Sequence, residues 1–339
     1  MNTKTICCVA GKSGGHIIPC LTIVQNNQIN NAPANILFFS ANTPLDKTIL
    51  TTNKMVSWHV MLPLSSRAGS YIKLALNSLS SFVLSFFYLC KYRPQEIITT
   101  GGIVAIPTCL AGFILRIPIT LYSLDALPGK AIQALTPLAT SIITPFATST
   151  KHFPAQKCSV APYPIKYQPA EHYTDTVTAQ KKLGLSPHKK TVLVLGGSQG
   201  SLFLNQCMQQ WTNDASFTPK NIQIIHQTGA IDDTDWQHFY ASKNITAHAF
   251  SYYPDLALMY AAADLIICRA GAGTLFEIKF FNKKCIIIPL STHTTDHQIY
   301  NARAMSHEYS ALFHFIAQKE VEKNPTILFA TIQQLLHSP

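Results

Sequence analysis

The sequence predicts an α/β protein built from two parallel-sheet, Rossmann-like halves. Residues 5–24 (TICCVAGKSGGHIIPCLTIV) and 191–208 (TVLVLGGSQGSLFLNQCM) share one order: apolar strand, Gly-rich loop, helix. Short apolar runs then alternate with helix-length segments through both halves. Between them, residues 161–190 contain APYPIKYQP and KKLGLSPHKK, whose prolines and charges mark a connector. The expected domains are residues 1–162 and 163–339.

In the first half, NILFFSA from Asn35, EIITT from Glu96, PITLYS from Pro118 and TSIITPF from Thr140 read as strands. In the second, NIQIIHQ from Asn221, NITAHAF from Asn244, DLIICR from Asp264, KCIIIPL from Lys284 and ALFHF from Ala311 do the same. Nearly continuous apolar runs of this length suit a sheet buried on both faces. Residues 71–90 (YIKLALNSLSSFVLSFFYLC) approach a membrane span in composition, but Lys73, Asn77 and several serines interrupt them. A span needs roughly 20 predominantly apolar residues. The segment reads as an unusually apolar helix, one face in the core and another offered to lipid. Two such domains leave a cleft at the C-terminal ends of their strands, where open α/β sheets bind ligands.

A chain of 339 residues suits two domains, and 47% hydrophobic residues provide for a large core. Lys+Arg 26 against Asp+Glu 16 leaves +10, which points to an anionic partner. No basic–aromatic platform is present, so nucleic acid is excluded as that partner. The nine cysteines form no Cys-x-x-Cys pair, so reduced, packed thiols in a cytoplasmic protein are expected rather than zinc or disulfides. No metal or cofactor is expected. The N-terminal MNTKTICCVA reads as a strand, not a signal peptide.

Five loops carry the polar chemistry. Gly11-Lys12-Ser13-Gly14-Gly15-His16 imitates a phosphate loop, but the upstream glycine of that motif is missing, and His16 opens the helix. Thr100-Gly101-Gly102-Ile103 is a Gly turn before Pro107. In Gly196-Gly197-Ser198-Gln199-Gly200, Ser198 and the backbone are suited to a phosphate or sugar hydroxyl. Arg269-Ala270-Gly271-Ala272-Gly273-Thr274 combines a cation with a helix N-terminus, the natural receptor for a diphosphate. Glu277 is expected in the first turn of that helix, where a carboxylate can take both hydroxyls of a ribose. Thr294-Thr295-Asp296-His297-Gln298 precedes a further helix, with Gln298 suited to a sugar hydroxyl.

AGKSGGHIIP, TTGGIVAIP, LVLGGSQGSLFLNQ, HQTG, MYAAADLIICRAGAGTLFEI and DHQIYNA, taken in this order, resemble the MurG family across nearly the whole chain. These are the lipid-linked N-acetylmuramoyl-pentapeptide N-acetylglucosamine transferases of peptidoglycan synthesis. The resemblance implies a GT-B fold, with acceptor bound by the first domain and UDP-GlcNAc by the second. It implies that Arg269, Ala270, Gly271, Gly273 and Thr274 hold the uridine diphosphate, and Glu277 the ribose. It places His297 and Gln298 near the donor sugar, the Tyr253 backbone at the uracil, and Ser198 with Gln199 in the second-domain loop. Ser13, Gly14, Gly15 and Lys166 complete the donor contacts. Gly14, His16, Gly101, Gly102 and Asp125 face the acceptor, with His16 the first candidate base and Asp125 the second. Ser13 stands where the family has threonine, and Ile103 where it has tyrosine. Asp125 stands where the family has asparagine, and Lys166 keeps the charge of an arginine but not its fork.

The resemblance further implies a peripheral enzyme on the cytoplasmic face of the inner membrane. Its expected partners are UDP-GlcNAc, a lipid-linked muramoyl-peptide acceptor, an anionic membrane surface and other wall-synthesis proteins. Two other readings stand beside it: a GT-B enzyme for another acceptor, or epimerising the nucleotide sugar, and a non-catalytic nucleotide-sugar-binding scaffold.

Overall fold

A computed structural model describes residues 4–11, 14–30, 34–64, 71–168, 175–197, 199–215, 217–290 and 296–337. The chain divides into two compact units, Met1–Lys166 and Tyr167–Pro339.

In the first unit the elements run β1 (Lys4–Val9), α1 (Gly14–Asn30), β2 (Ala34–Ala41), α2 (Pro44–Thr51), β3 (Trp58–Leu62), α3 (Tyr71–Tyr92) and β4 (Glu96–Thr99). They continue with α4 (Ala105–Ile114), β5 (Ile119–Tyr122), α5 (Lys130–Leu135), β6 (Ser141–Thr144) and β7 (Cys158–Val160). The seven strands lie in the order β3-β2-β1-β4-β5-β6-β7, every neighbouring pair parallel. Alternate residues of β1 enter opposite cores: Cys7 and Val9 join Leu37, Ile97 and Leu121, whereas Ile6 and Cys8 join Phe38 and α1 residues such as Ile17. The unbroken apolar strands thus serve two helical layers at once.

The second unit runs α6 (Thr176–Lys182), β8 (Lys190–Leu195), α7 (Leu202–Asn213), β9 (Ile222–Gln227), α8 (Trp236–Ser242), β10 (Ala247–Phe250) and α9 (Ala257–Ala262). It ends with β11 (Leu265–Cys268), α10 (Ala272–Phe280), β12 (Lys284–Ile287), α11 (His297–Glu308), β13 (Phe313–Phe315), α12 (Gln318–Lys323) and α13 (Thr326–His337). Its sheet, β10-β9-β8-β11-β12-β13, is again parallel throughout. The expected strands are present. The structure adds the short strands β3 and β7. It also corrects the reading of 161–190 as connector alone: α6 forms there, started by Asp175, whose carboxylate accepts the Thr178 amide at 2.9 Å.

In both units strand order reverses beside the first strand, between β1 and β4 and between β8 and β11. Loops leaving the C-terminal ends of such a pair diverge to opposite faces of the sheet and open a crevice.

Candidate active site

The crevice between β8 and β11 is a cavity of about 490 Å³. Three loops of the second unit build it. The first leaves β8 through Gly196–Gly200, where Gly197 and Gly200 have φ of 87° and 85°. A side chain on Gly200 would lie 2.5 Å from the Gly229 Cα, so this loop and the one after β9 touch through two glycines. Ser201 then caps α7, its hydroxyl accepting the Leu204 amide at 3.3 Å.

The second loop leaves β11 at Arg269. Its guanidinium is buried, and burial lowers its pKa to about 10, so it stays cationic at neutral pH. Nε donates to the Ser201 hydroxyl at 3.1 Å, and Nη1 to the Ile288 carbonyl at 3.0 Å and to Gln318 Oε1 at 2.8 Å. Among the described residues, Arg269 is the only charged one in the cavity lining, so the cavity suits an anion. Gly271 is the N-cap of α10 and no side chain caps the helix, which leaves the first-turn amides open to a ligand. Thr274 lines the same mouth.

The third loop, after β12, is held by Gln298. Its Oε1 accepts the amides of Ala270 at 3.2 Å and of Leu290 at 2.9 Å. Asn301 donates to the Ala270 carbonyl at 3.2 Å, so α11 fixes the loop ahead of α10.

In the first unit the loops at the corresponding crevice also meet. A side chain on Gly102, at φ 90°, would lie 3.3 Å from the Gly11 carbonyl oxygen. The Thr100 hydroxyl donates to the His16 carbonyl at 2.9 Å, tying the loop after β4 to the first turn of α1. Asp125, half-buried, follows β5 on the same sheet edge.

Residues 191–339 match the glycosyltransferase family 28 C-terminal domain. A UDP-N-acetylglucosamine–N-acetylmuramyl-(pentapeptide) pyrophosphoryl-undecaprenol N-acetylglucosamine transferase of Protochlamydia amoebophila is 30% identical over 305 residues, which are 88% of this chain and 80% of that protein. The chain belongs to this transferase family. A family member from Myxococcus xanthus is 26% identical over 331 residues, 97% of this chain and 84% of its own. The crystal structure of Acinetobacter baumannii MurG superposes with a TM-score of 0.76 at 22% identity, covering 98% of this chain and 91% of that one. The fold is GT-B: two parallel-sheet α/β domains.

Of the donor residues that the transferase resemblance implied, Gln199, Arg269, Gly271, Thr274 and Gln298 line one cavity. Ala270 and Gly273 belong to the same loop and helix start, and His297 begins α11. Tyr253 is exposed just past β10, its ring edge-on to Phe250 at 6.1 Å. Ser13 and Ser198 lie outside the described residues. Gly14 and Gly15 form the first turn of α1, and Lys166 closes the first unit. Three details differ from expectation. Glu277 is the sixth residue of α10, in its second turn, where it accepts the Tyr260 hydroxyl at 2.8 Å. The Gln298 oxygen is taken up by two backbone amides. Arg269 commits Nε and Nη1 to protein acceptors, so much of its charge acts from the cavity floor.

Ser201, Gln318, Ile231, Leu290 and Phe203 also line the cavity, and sequence reading gave them no role. Ser201 carried a usable signal, a serine directly ahead of an apolar helix. Gln318, 49 residues from the arginine it orients, carried none. In the Asp-x-Asp run Asp233-Thr234-Asp235, Asp235 caps α8 by accepting the His238 amide at 2.9 Å.

Proposed function

We propose that the chain is an inverting glycosyltransferase that moves N-acetylglucosamine from UDP-GlcNAc to the 4-hydroxyl of undecaprenyl-diphosphate-linked MurNAc-pentapeptide. The observation that carries the reading is the β8–β11 cavity, which sets an uncapped helix start and one buried cation around a space with no acidic side chain among its described lining residues. The diphosphate sits against α10. Glu277 takes the ribose, the Tyr253 backbone the uracil, and Gln298 Nε2 with His297 the sugar.

As UDP departs, negative charge grows on its diphosphate. The α10 amides and the Arg269 field are already oriented and stabilise that charge more than the ground state. His16 removes the proton from the attacking hydroxyl, its backbone fixed by Thr100. Asp125 is the second candidate for that base.

The acceptor side includes a membrane surface. Ile72, Leu76, Leu79, Val83 and Phe87 form one stripe of α3 and are 58–74% exposed. Ile106, Leu110 and Phe113 of α4 are exposed too, and an apolar groove of about 540 Å³ runs between the two helices. Lys91 and Arg93 follow the stripe at headgroup level. The enzyme works on the cytoplasmic face of the inner membrane.

Transfer of labelled N-acetylglucosamine from UDP-GlcNAc to a lipid-linked muramoyl-pentapeptide tests the proposal. The wild type is expected to form product, and His16→Ala to lose about 100-fold or more in rate, as for removal of a general base. Absence of product from a wild type that binds UDP would refute it.

A further inference from the structure

Tyr260 is fully buried, with 0% exposure, and its ring is held on two sides. Phe281 stacks on it at 5.2 Å and 24°, and Tyr167 meets it edge-on at 6.2 Å and 82°. Tyr167 also packs edge-on against Phe281 at 5.2 Å, which closes an aromatic cluster under the start of α9 and the end of α10. A phenylalanine at 260 would fill the same space. A phenol brought fully out of water is costly unless its hydroxyl is bonded. Here that bond is the one to Glu277 Oε2 at 2.8 Å. Burial, and then the Glu277 charge, push the Tyr260 pKa well above its usual value, so the hydroxyl remains a donor. The same cluster anchors the segment beyond Tyr253, because the Leu256 amide donates to the Tyr167 oxygen at 3.1 Å.

We propose that Tyr260 is a positioning residue for nucleotide recognition: its hydroxyl holds the Glu277 carboxylate in the rotamer that accepts the vicinal 2′- and 3′-hydroxyls of a ribose. The proposal rests on the reading of Glu277 as the ribose contact. Glutamate has three rotatable bonds, and a half-buried carboxylate tethered at one oxygen has lost most of that freedom before the ligand arrives. The carboxylate then meets the ligand already oriented for a cis-diol. The result is selection for ribonucleotides over 2′-deoxyribonucleotides, since a site built around a substrate hydroxyl rejects the analogue that lacks it. The phenol of Tyr260 touches no substrate atom.

Calorimetric titration of the full chain with UDP and with 2′-deoxy-UDP tests this. The wild type is expected to bind UDP about tenfold or more tightly than the deoxy analogue, the scale of one charge-assisted hydrogen bond. Tyr260→Phe is expected to weaken UDP about tenfold and 2′-deoxy-UDP, which keeps only the 3′-hydroxyl contact, about threefold, so that the gap narrows. A Tyr260→Phe protein that keeps the wild-type gap, or loses both ligands equally, overturns the inference and leaves Glu277 as the ribose contact. A wild type that fails to bind UDP, or that ignores the 2′-hydroxyl, overturns the reading of Glu277 and this inference with it. A second measurement needs only wild-type protein. With tyrosine labelled at Cζ, the Tyr260 carbon resonance is expected to move on UDP binding and to move less on 2′-deoxy-UDP binding. Equal displacement by the two ligands contradicts the proposal.

Discussion

The buried imidazole of His226 shows how closely single residues are specified behind the cavity. Asn205 Nδ2 donates to the Thr228 carbonyl at 3.0 Å and to Asp232 at 2.7 Å, so its Oδ1 is an acceptor. His226 Nε2 must therefore carry the hydrogen toward that oxygen at 3.1 Å, and Nδ1 accepts from the Tyr240 hydroxyl at 2.9 Å. The ring is satisfied only when neutral, and burial lowers its pKa from 6.5 to about 3. Between those values the unfolded chain binds a proton that the folded one refuses, so stability falls as pH drops through that window. From pH 6.5 to 5 the loss amounts to about 2 kcal/mol. For a unit of this size that lowers the melting midpoint by about 4–8 °C. Calorimetric scans are expected to show a clearly shallower pH dependence for His226→Gln than for the wild type. Parallel curves would contradict the assignment. Little of this network was legible in the sequence, where HQTG registers only as a family-like stretch. Its partners Asn205 and Tyr240 lie 21 and 14 residues away, beyond the reach of any local pattern.

Among the elements, α3 has two apolar faces: Leu89, with Phe82, Phe86 and Tyr88, packs on the core, and a second stripe does not. The residues it buries are Ser81, Ser85 and Leu89, and Ser85 pairs with Thr108 of α4 at 2.9 Å, so serine and threonine seal the helix–helix contact. The second stripe faces outward. A soluble helix normally buries that stripe, so its exposure reports an unfilled apolar partner. Joint replacement of Leu79 and Phe87 by Asp should cut co-sedimentation with anionic phospholipid vesicles by about tenfold or more, given the cost of placing charge in the interface, with the helical circular dichroism retained. Unchanged sedimentation would assign the stripe elsewhere. The sequence revealed this helix because 22 residues of apolar periodicity are hard to miss. It hid β3 and β7, the two edge strands of their sheet, because an edge strand is short and half-solvated and lacks the continuous apolar run. It also hid the second-turn position of Glu277. The run AGAG does not say which residue begins the helix, whereas the structure places the cap at Gly271.

At the scale of the whole molecule, each unit builds its crevice from a parallel sheet that reverses its order beside the first strand. Gly-rich loops are readable because a turn at positive φ, or one in which two backbones touch, admits little else, as Gly200 against Gly229 shows. The sequence therefore exposed the loops that line the β8–β11 cavity, while its floor, from Ser201 through Arg269 to Gln318, required the fold to bring distant residues together. The central claim is that the α10 start after Arg269 receives a nucleotide's diphosphate. The crystal structure of the chain with UDP tests it most directly. It is expected to place phosphate oxygens about 3 Å from backbone amides of Ala272, Gly273 or Thr274. A UDP bound elsewhere, with that helix start facing only solvent, would contradict the account.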